Sequence, residues 1–376
     1  MPNIKKGMMA AAGADTECED CGLFAWGYNG NGQLGTGDTT NLSSPVQVYA
    51  AEPTDFSAGK HFSAVIKTDG SLWTTGLNGD GQLGHGNTTN LSTFTQVGSD
   101  TDWDQISCGD DNWIARKTGG TIWTCGSGYK GFHGNGTTTA VSSPIQVGSD
   151  TDWTTVMTSG VTVSAFKGTS LYGWGSGYAG SLGDNGGVDY SSPVLIGTGY
   201  ANGQRSSHGS NQYLNNQIKT DNTIWVAGYG YKGSGGTGDS GNPYHNTYQQ
   251  IGSAQWTWVT FGRYCNMARR TDGTLYAWGW NNYGNLGTGN TTSYSSPVLV
   301  TGGETWGADF RHGAKGNYGS AAINTSGELF AWGQAIYGET GLGNTTAYSA
   351  PQQVGSETDW TAIDRGPMHS LGVRTG

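Results

Sequence analysis

The chain has 376 residues, of which 67 are Gly, 34% are hydrophobic and 12% are charged, with a net charge of −10. The glycines follow no Gly-X-Y period, which excludes collagen, and 15 Trp with 19 Tyr argue against disorder, because disordered chains lack groups that bury area. The acidic balance argues against nucleic acid as a partner, and no apolar run approaches the ~18 residues of a membrane span.

Residues 1–21 read as an N-terminal arm. Its stretch "MPNIKKGMMAAAGADTECEDC" carries Lys5 and Lys6, then a short apolar segment broken by Gly13, which does not make a secretory signal. Cys18-x-x-Cys21 is its one local motif. No second pair or nearby His completes the four ligands of a structural zinc, and no helix N-terminus is expected to activate a thiol. A free pair or a small disulfide pinning the arm is the expectation, so Lys5, Lys6, Cys18 and Cys21 are the candidate arm tether.

Next comes "LFAWGYNGNGQLGTG" from Leu23, which contains Gly30-x-Gly32-x-x-Gly35. Such glycines cradle a pyrophosphate only where a strand leads into a helix. Here relatives of the whole stretch recur from Leu72, Ile122, Leu171, Ile224, Leu275 and Leu329, with no helical period after any of them. The motif therefore reads as a repeated turn, and no cofactor is expected. The glycine ending each strand falls at 27, 76, 126, 175, 228, 279 and 333, so the chain holds seven repeats of about fifty residues.

Within each unit, "SSP"-like steps such as Ser44-Pro45 precede a short apolar run. Acidic-aromatic steps such as Asp102-Trp103 and Asp152-Trp153 follow, and "TDG" at 68–70 and 271–273 has hairpin-turn chemistry. Each unit thus reads as four short strands. The paired aspartates of "SDTDW" lack the ligand count of a calcium loop and are expected to form a turn ahead of a buried Trp. An aromatic lies three residues before every terminal glycine, and Trp26, Trp174, Trp278 or Trp332 lies one before it in four units. The other three carry Trp73, Trp123 or Trp225 at the first position, so each unit keeps one indole on one strand face. The expected reason is conserved volume between packed blades.

Seven small sheets that cannot stand alone predict an all-β fold, a seven-bladed β-propeller of four-stranded blades over residues 22–376. "GLFAWG" at the start and "HSLGVRTG" at the end, placed together, make the hairpin found inside the other units. Pairing of these terminal strands is expected to close the ring. The fifth unit departs most, with Tyr229, Tyr231, Tyr244, His245 and Tyr248 among many glycines. Tyrosine gives contact area at low entropic cost, so these five are the candidate partner contacts. The seven histidines show no positioned base and partner, and no catalytic site is expected.

At "LFAWGYNGNGQLGTG", "SSPVQV" and "HSLGV" the chain resembles the RCC1-like repeat family, the regulator-of-chromosome-condensation propellers. The resemblance implies the same fold with a shared closing blade. Its members include exchange factors for small GTPases, modules of larger proteins and inhibitors of β-lactamases. The family's His-Ser step is kept at His369-Ser370, whereas Phe62, Asn112, Val163 and Cys265 stand at the corresponding places, and no long basic tail is present. The leader "MPNIKKGMMAAAGA" is similar to those of virion proteins of marine phages. The sequence therefore predicts a non-enzymatic binding or structural propeller on a phage-like virion surface, with virion proteins as partners. A regulatory binder (a GTPase exchange factor or an enzyme inhibitor) is the second reading, and a module for surface glycan the third.

Overall fold

A computed structural model describes residues 21–201, 214–309 and 313–376; Lys5, Lys6 and Cys18 lie outside the described residues. Each repeat folds where its sequence alternates and turns where its punctuation falls. In "KTDGSLW", Asp69 Oδ1 accepts hydrogen bonds from the backbone N–H and the hydroxyl of Ser71 at 2.9 and 2.5 Å. These bonds hold the reversal between Phe62–Ile66 and Leu72–Gly76.

The result is a ring of seven antiparallel sheets. Blade 2 runs Asp55–Ala58, Phe62–Ile66, Leu72–Gly76 and Leu91–Gln96 from the axis outward, and blades 3, 4, 6 and 7 repeat this order. Blade 5 shows Leu214–Ile218, Ile224–Tyr229 and Tyr244–Gln250 among the described residues. Blade 1 joins both ends of the chain. Gly22–Gly27 lies between Leu42–Tyr49 and His369–Arg374, in register from Gly22↔Arg374 to Gly27↔His369. This pairing removes two edges that would otherwise be open.

Innermost strands of neighbouring blades touch near the axis, and in blades 2 to 4 backbone N–H groups of these strands find side chains on the preceding blade. Ala58 N donates to Asp364 Oδ2 (2.8 Å), Ile106 N to Asp55 Oδ2 (2.7 Å) and Val156 N to Gln105 Oε1 (3.0 Å). Buried backbone donors are thereby satisfied without a continuous sheet.

Seams between blades use the loop glycines. A Cβ on Gly32 would lie 2.6 Å from Ser92 Cα, and one on Gly35 would lie 2.5 Å from the Phe94 ring, both on the next blade. No helix follows Gly35; the Gly30–Gly35 turn is there for this approach. The same seat recurs at Gly134 with Trp174, Gly183 with Tyr248, Gly236 with Trp278 and Gly287 with Trp332. Gly341 with Trp26 closes the circle, and Gly84 faces Trp113 at a looser 3.5 Å.

The expectation of one interchangeable indole per unit is corrected by these seats. Where Trp precedes the terminal glycine, it fills the seam; in blades 2, 3 and 5 the seam ring comes instead from Phe94, Trp113 and Tyr248. Trp73, Trp123 and Trp225 occupy a different place, half-buried at the other end of their strands. Each donates its indole N–H to a turn hydroxyl, on Ser71, Thr121 and Thr223 respectively. Each also lies under a lysine: Lys67, Lys117 and Lys219 stand 3.9, 4.9 and 3.7 Å from the ring centroids.

The aspartates of "SDTDW" hold lysine. Lys117 Nζ lies 2.5 Å from Asp100 and 2.9 Å from Asp102, and Lys167 bridges Asp150 and Asp152 at 2.6 and 2.8 Å. Register also places Thr162, not Val163, at the position of His369, since Thr162 pairs Gly175 as His369 pairs Gly27.

Candidate binding face

One face of the ring is built from two recurring pieces. The first is the tip of the hairpin between the two inner strands; the second is the residue that follows the terminal glycine of the third strand. They are tied together. Gly279 has φ +105, and a Cβ there would lie 2.3 Å from Tyr264 O; the next residue, Trp280, donates its N–H to that same oxygen at 2.9 Å. Tyr28 with Met368 O, Leu77 with His61 O, Ser127 with Asp111 O and Gln334 with Tyr318 O repeat the arrangement. The scaffold is therefore constant while the side chains at both positions vary.

On blades 5 to 7, Tyr229, Tyr264, Trp280 and Tyr318 occupy these positions, and Tyr231, Tyr244 and Tyr283 from the adjoining outer loops and strand join them in one series of ring contacts. Tyr244 stacks on Tyr229 (4.7 Å between centroids, 19° between planes), and Tyr229 meets Tyr231 at 5.9 Å. Tyr231 meets Tyr264 across the seam at 4.8 Å, and Tyr264 meets Trp280 at 6.4 Å. Trp280 then contacts Tyr318 at 5.1 Å and Tyr283 at 5.4 Å. All of these rings are half-buried or exposed, and Tyr244 is 59% exposed. A shorter group continues on blades 7, 1 and 2, where Tyr28 lies 4.8 Å from Tyr337 and 6.2 Å from His61.

Arg263 sits within the larger arc, 5.2 Å from the Tyr264 ring, and donates from Nη1 to the Tyr318 hydroxyl at 3.1 Å. Burial works to lower its pKa, but Tyr318 and Tyr264 outweigh burial and hold it above the ordinary value. Three of the five sequence-selected contacts, Tyr229, Tyr231 and Tyr244, thus meet in this arc. His245 is half-buried beneath the loop, its pKa lowered by burial. Tyr248 turns to the seam with blade 4, against Gly183, with its ring 5.7 Å from Tyr200.

Tyr264, Trp280, Tyr283 and Tyr318 were not selected from the sequence, because they lie on two other blades. Aligning the positions after each terminal glycine would have exposed Tyr28, Tyr229 and Trp280 as one set. In the arm, Cys21 is disulfide-bonded, and its carbonyl accepts a 2.7 Å hydrogen bond from Gln47 Nε2. Cys108, Cys125 and Cys265 are buried and form no disulfide. His369 is buried as neutral imidazole: burial first, then His61 and Arg365, lower its pKa to about 3. Its Nε2 meets Ser63 Oγ at 2.8 Å, and that hydroxyl donates to Gln33 O. The kept His-Ser step is thus seam packing.

Models of the regulator of chromosome condensation (RCC1) repeat match residues 22–66, 69–115, 272–323 and 326–373, and a second model of that description matches 54–82. The chain belongs to the RCC1 repeat family. The Arabidopsis thaliana ultraviolet-B receptor UVR8 is 36% identical over 83 residues, 22% of this chain and 18% of that protein. The X-linked retinitis pigmentosa GTPase regulator of Canis lupus familiaris is 37% identical over 101 residues, 26% of this chain and 10% of that protein. The human E3 ubiquitin-protein ligase HERC2 is 33% identical over 100 residues, 26% of this chain and 2% of that protein.

The RCC1 propeller thus spans a small part of the length of the curated relatives it matches. Among solved structures, Prp20p from Saccharomyces cerevisiae gives a TM-score of 0.80 at 16% identity, covering 95% of this chain and 92% of that one. Human WBSCR16 gives 0.80 at 17% identity, covering 94% and 98%. At such identity these two likenesses show the fold alone. Residues 116–271 fall between the matched repeats, and Tyr229, Tyr231, Tyr244 and Tyr264 lie in that stretch.

Proposed function

We propose that this RCC1 propeller is a non-enzymatic protein binder of regulatory type. A protein partner docks on the arc from Tyr244 through Tyr231 and Trp280 to Tyr318. The observation carrying this reading is the unbroken chain of accessible rings from Tyr244 to Tyr318. Tyr, Trp and Arg dominate binding hot spots, because they offer large rigid area with a polar handle. The relatives support the regulatory class: one is named as a GTPase regulator and one as a receptor, and Prp20p has been studied for binding Gsp1p and histones. A virion role rests on the leader, which lies outside the described residues, and has less support.

The test is site-specific photo-crosslinking in extract of the native source, with the cross-linker placed at Tyr231 or at Leu195 on an outer strand. The expected result is one protein adduct from position 231 and none from 195. Adducts at 195 alone, or equally at both, would overturn the assignment of the face. A capsid or tail protein as the adduct at 231 would restore the virion reading.

A further inference from the structure

Two cations stand in the arc without a carboxylate beside them. Lys232 is exposed, 5.7 Å from the Tyr231 ring, and Arg263 is exposed against Tyr264 and Tyr318; neither makes an ion pair among the described residues. Of the other cations, Lys117, Lys130, Lys167, Arg116 and Arg374 are each paired with aspartate, whereas Lys219 and Arg270 lie over rings and Arg269 and Arg365 are buried on backbone carbonyls. The acidic tip on this face belongs to blade 3, at Asp110 and Asp111, across the ring from blade 6. The whole chain carries a net charge of −10, so an exposed positive spot within an aromatic surface runs against its average.

Arg263 is also held in place. Contact with Tyr264 and the bond to Tyr318 restrict its side chain before any ligand arrives, which lowers the entropic cost of meeting a planar carboxylate. Charge-assisted bonds from guanidinium to carboxylate are among the stronger polar contacts, and flanking rings shield them from water.

We infer that the segment received by the arc is an acidic polypeptide, with an Asp or Glu carboxylate on Arg263, support from Lys232, and apolar side chains on Tyr231, Tyr264 and Trp280. This rests on the protein-binding reading above and adds the chemistry of the partner.

The experiment is selection of a displayed random peptide library on the full chain, followed by anisotropy of the enriched peptides against Arg263→Ala, Arg263→Lys and Tyr231→Ala. Polygalacturonate is titrated alongside as an acidic polysaccharide. Circular dichroism identical to wild type qualifies each variant. The expected result is enrichment of Asp or Glu beside apolar residues, with binding weakened about tenfold by Arg263→Ala, weakened less by Arg263→Lys, and reduced by added salt. Basic or neutral peptides that lose binding in Tyr231→Ala would overturn this inference and leave the protein-binding face standing. Peptides indifferent to both Arg263 and Tyr231 would overturn both. No peptide enriched, with Arg263-dependent binding of polygalacturonate, would replace the polypeptide by a glycan.

Discussion

The two places an indole occupies in these blades have different energies, and truncating one of each measures the difference. Trp278 is fully buried between blades 5 and 6, where its Nε1 donates to Ser234 O at 3.1 Å and its ring packs on Trp256 at 6.3 Å. A fully buried Trp removes about 200 Å² from water, which at about 25 cal/mol per Å² gives about 5 kcal/mol. Ser234 O keeps its 2.6 Å bond from Asn266 Nδ2 in Trp278→Ala, so the cost is that of lost area and a cavity, and a loss of about 4–5 kcal/mol is expected after partial collapse. Trp225 is half-buried, bonded to Thr223 and covered by Lys219, so Trp225→Ala should cost about 2 kcal/mol.

The assay is guanidinium denaturation followed by far-ultraviolet circular dichroism, with m compared between variants to check that cooperativity is kept. A second variant sharpens it. If volume alone mattered, Ala227→Trp should rescue Trp225→Ala, since residue 227 lies on the same strand face. Tyr248 already fills that seam, and both its ring and Ala227 face Gly183, so the double variant should be less stable than either single one. Equal losses for Trp278→Ala and Trp225→Ala, or rescue by Ala227→Trp, would refute the two-site account.

Asp364 and His369 should pull stability in opposite directions with pH. Burial raises Asp364 to about 6 in the folded state, above its unfolded value, so its contribution is greatest in acid and is lost as pH rises toward 6. His369 is depressed to about 3, so its contribution is present above its unfolded value and falls as pH drops. Asp364→Asn should therefore unmask the histidine, with stability falling by about 3 kcal/mol between pH 6.5 and 4, read by urea denaturation at each pH. Gly333→Ala places a Cβ 2.5 Å from Tyr318 O at φ +90, and a loss of at least about 2 kcal/mol in the same assay is expected. Burial pushes the Cys125 thiol up to about 12, so a thiol reagent at neutral pH should label it only after denaturant is added.

Repeat arithmetic made the fold legible. Seven glycines about fifty residues apart, "TDG" turns and an alternating strand before each glycine specify similar small sheets, and a unit with two open faces must stack on its neighbours. The split of blade 1 between the termini followed from the same count, because "GLFAWG" and "HSLGVRTG" are the halves of one hairpin. The arc was only partly readable. Tyr229, Tyr231 and Tyr244 are close in sequence and were found together, whereas His245 and Tyr248 share their composition but not their direction.

Local sequence thus determined the secondary structure, the number of blades and the closure of the ring, since turn chemistry and strand alternation act over a few residues. Tertiary structure decided which ring fills each seam and which rings meet on the open face. Phe94, Trp113 and Tyr248 stand in for a missing Trp because a seam needs a filled volume, whichever strand supplies it. Tyr231 meets Tyr264 for a related reason: they lie on adjacent blades, 33 positions apart in sequence, and only the packing of one blade on the next brings them to 4.8 Å.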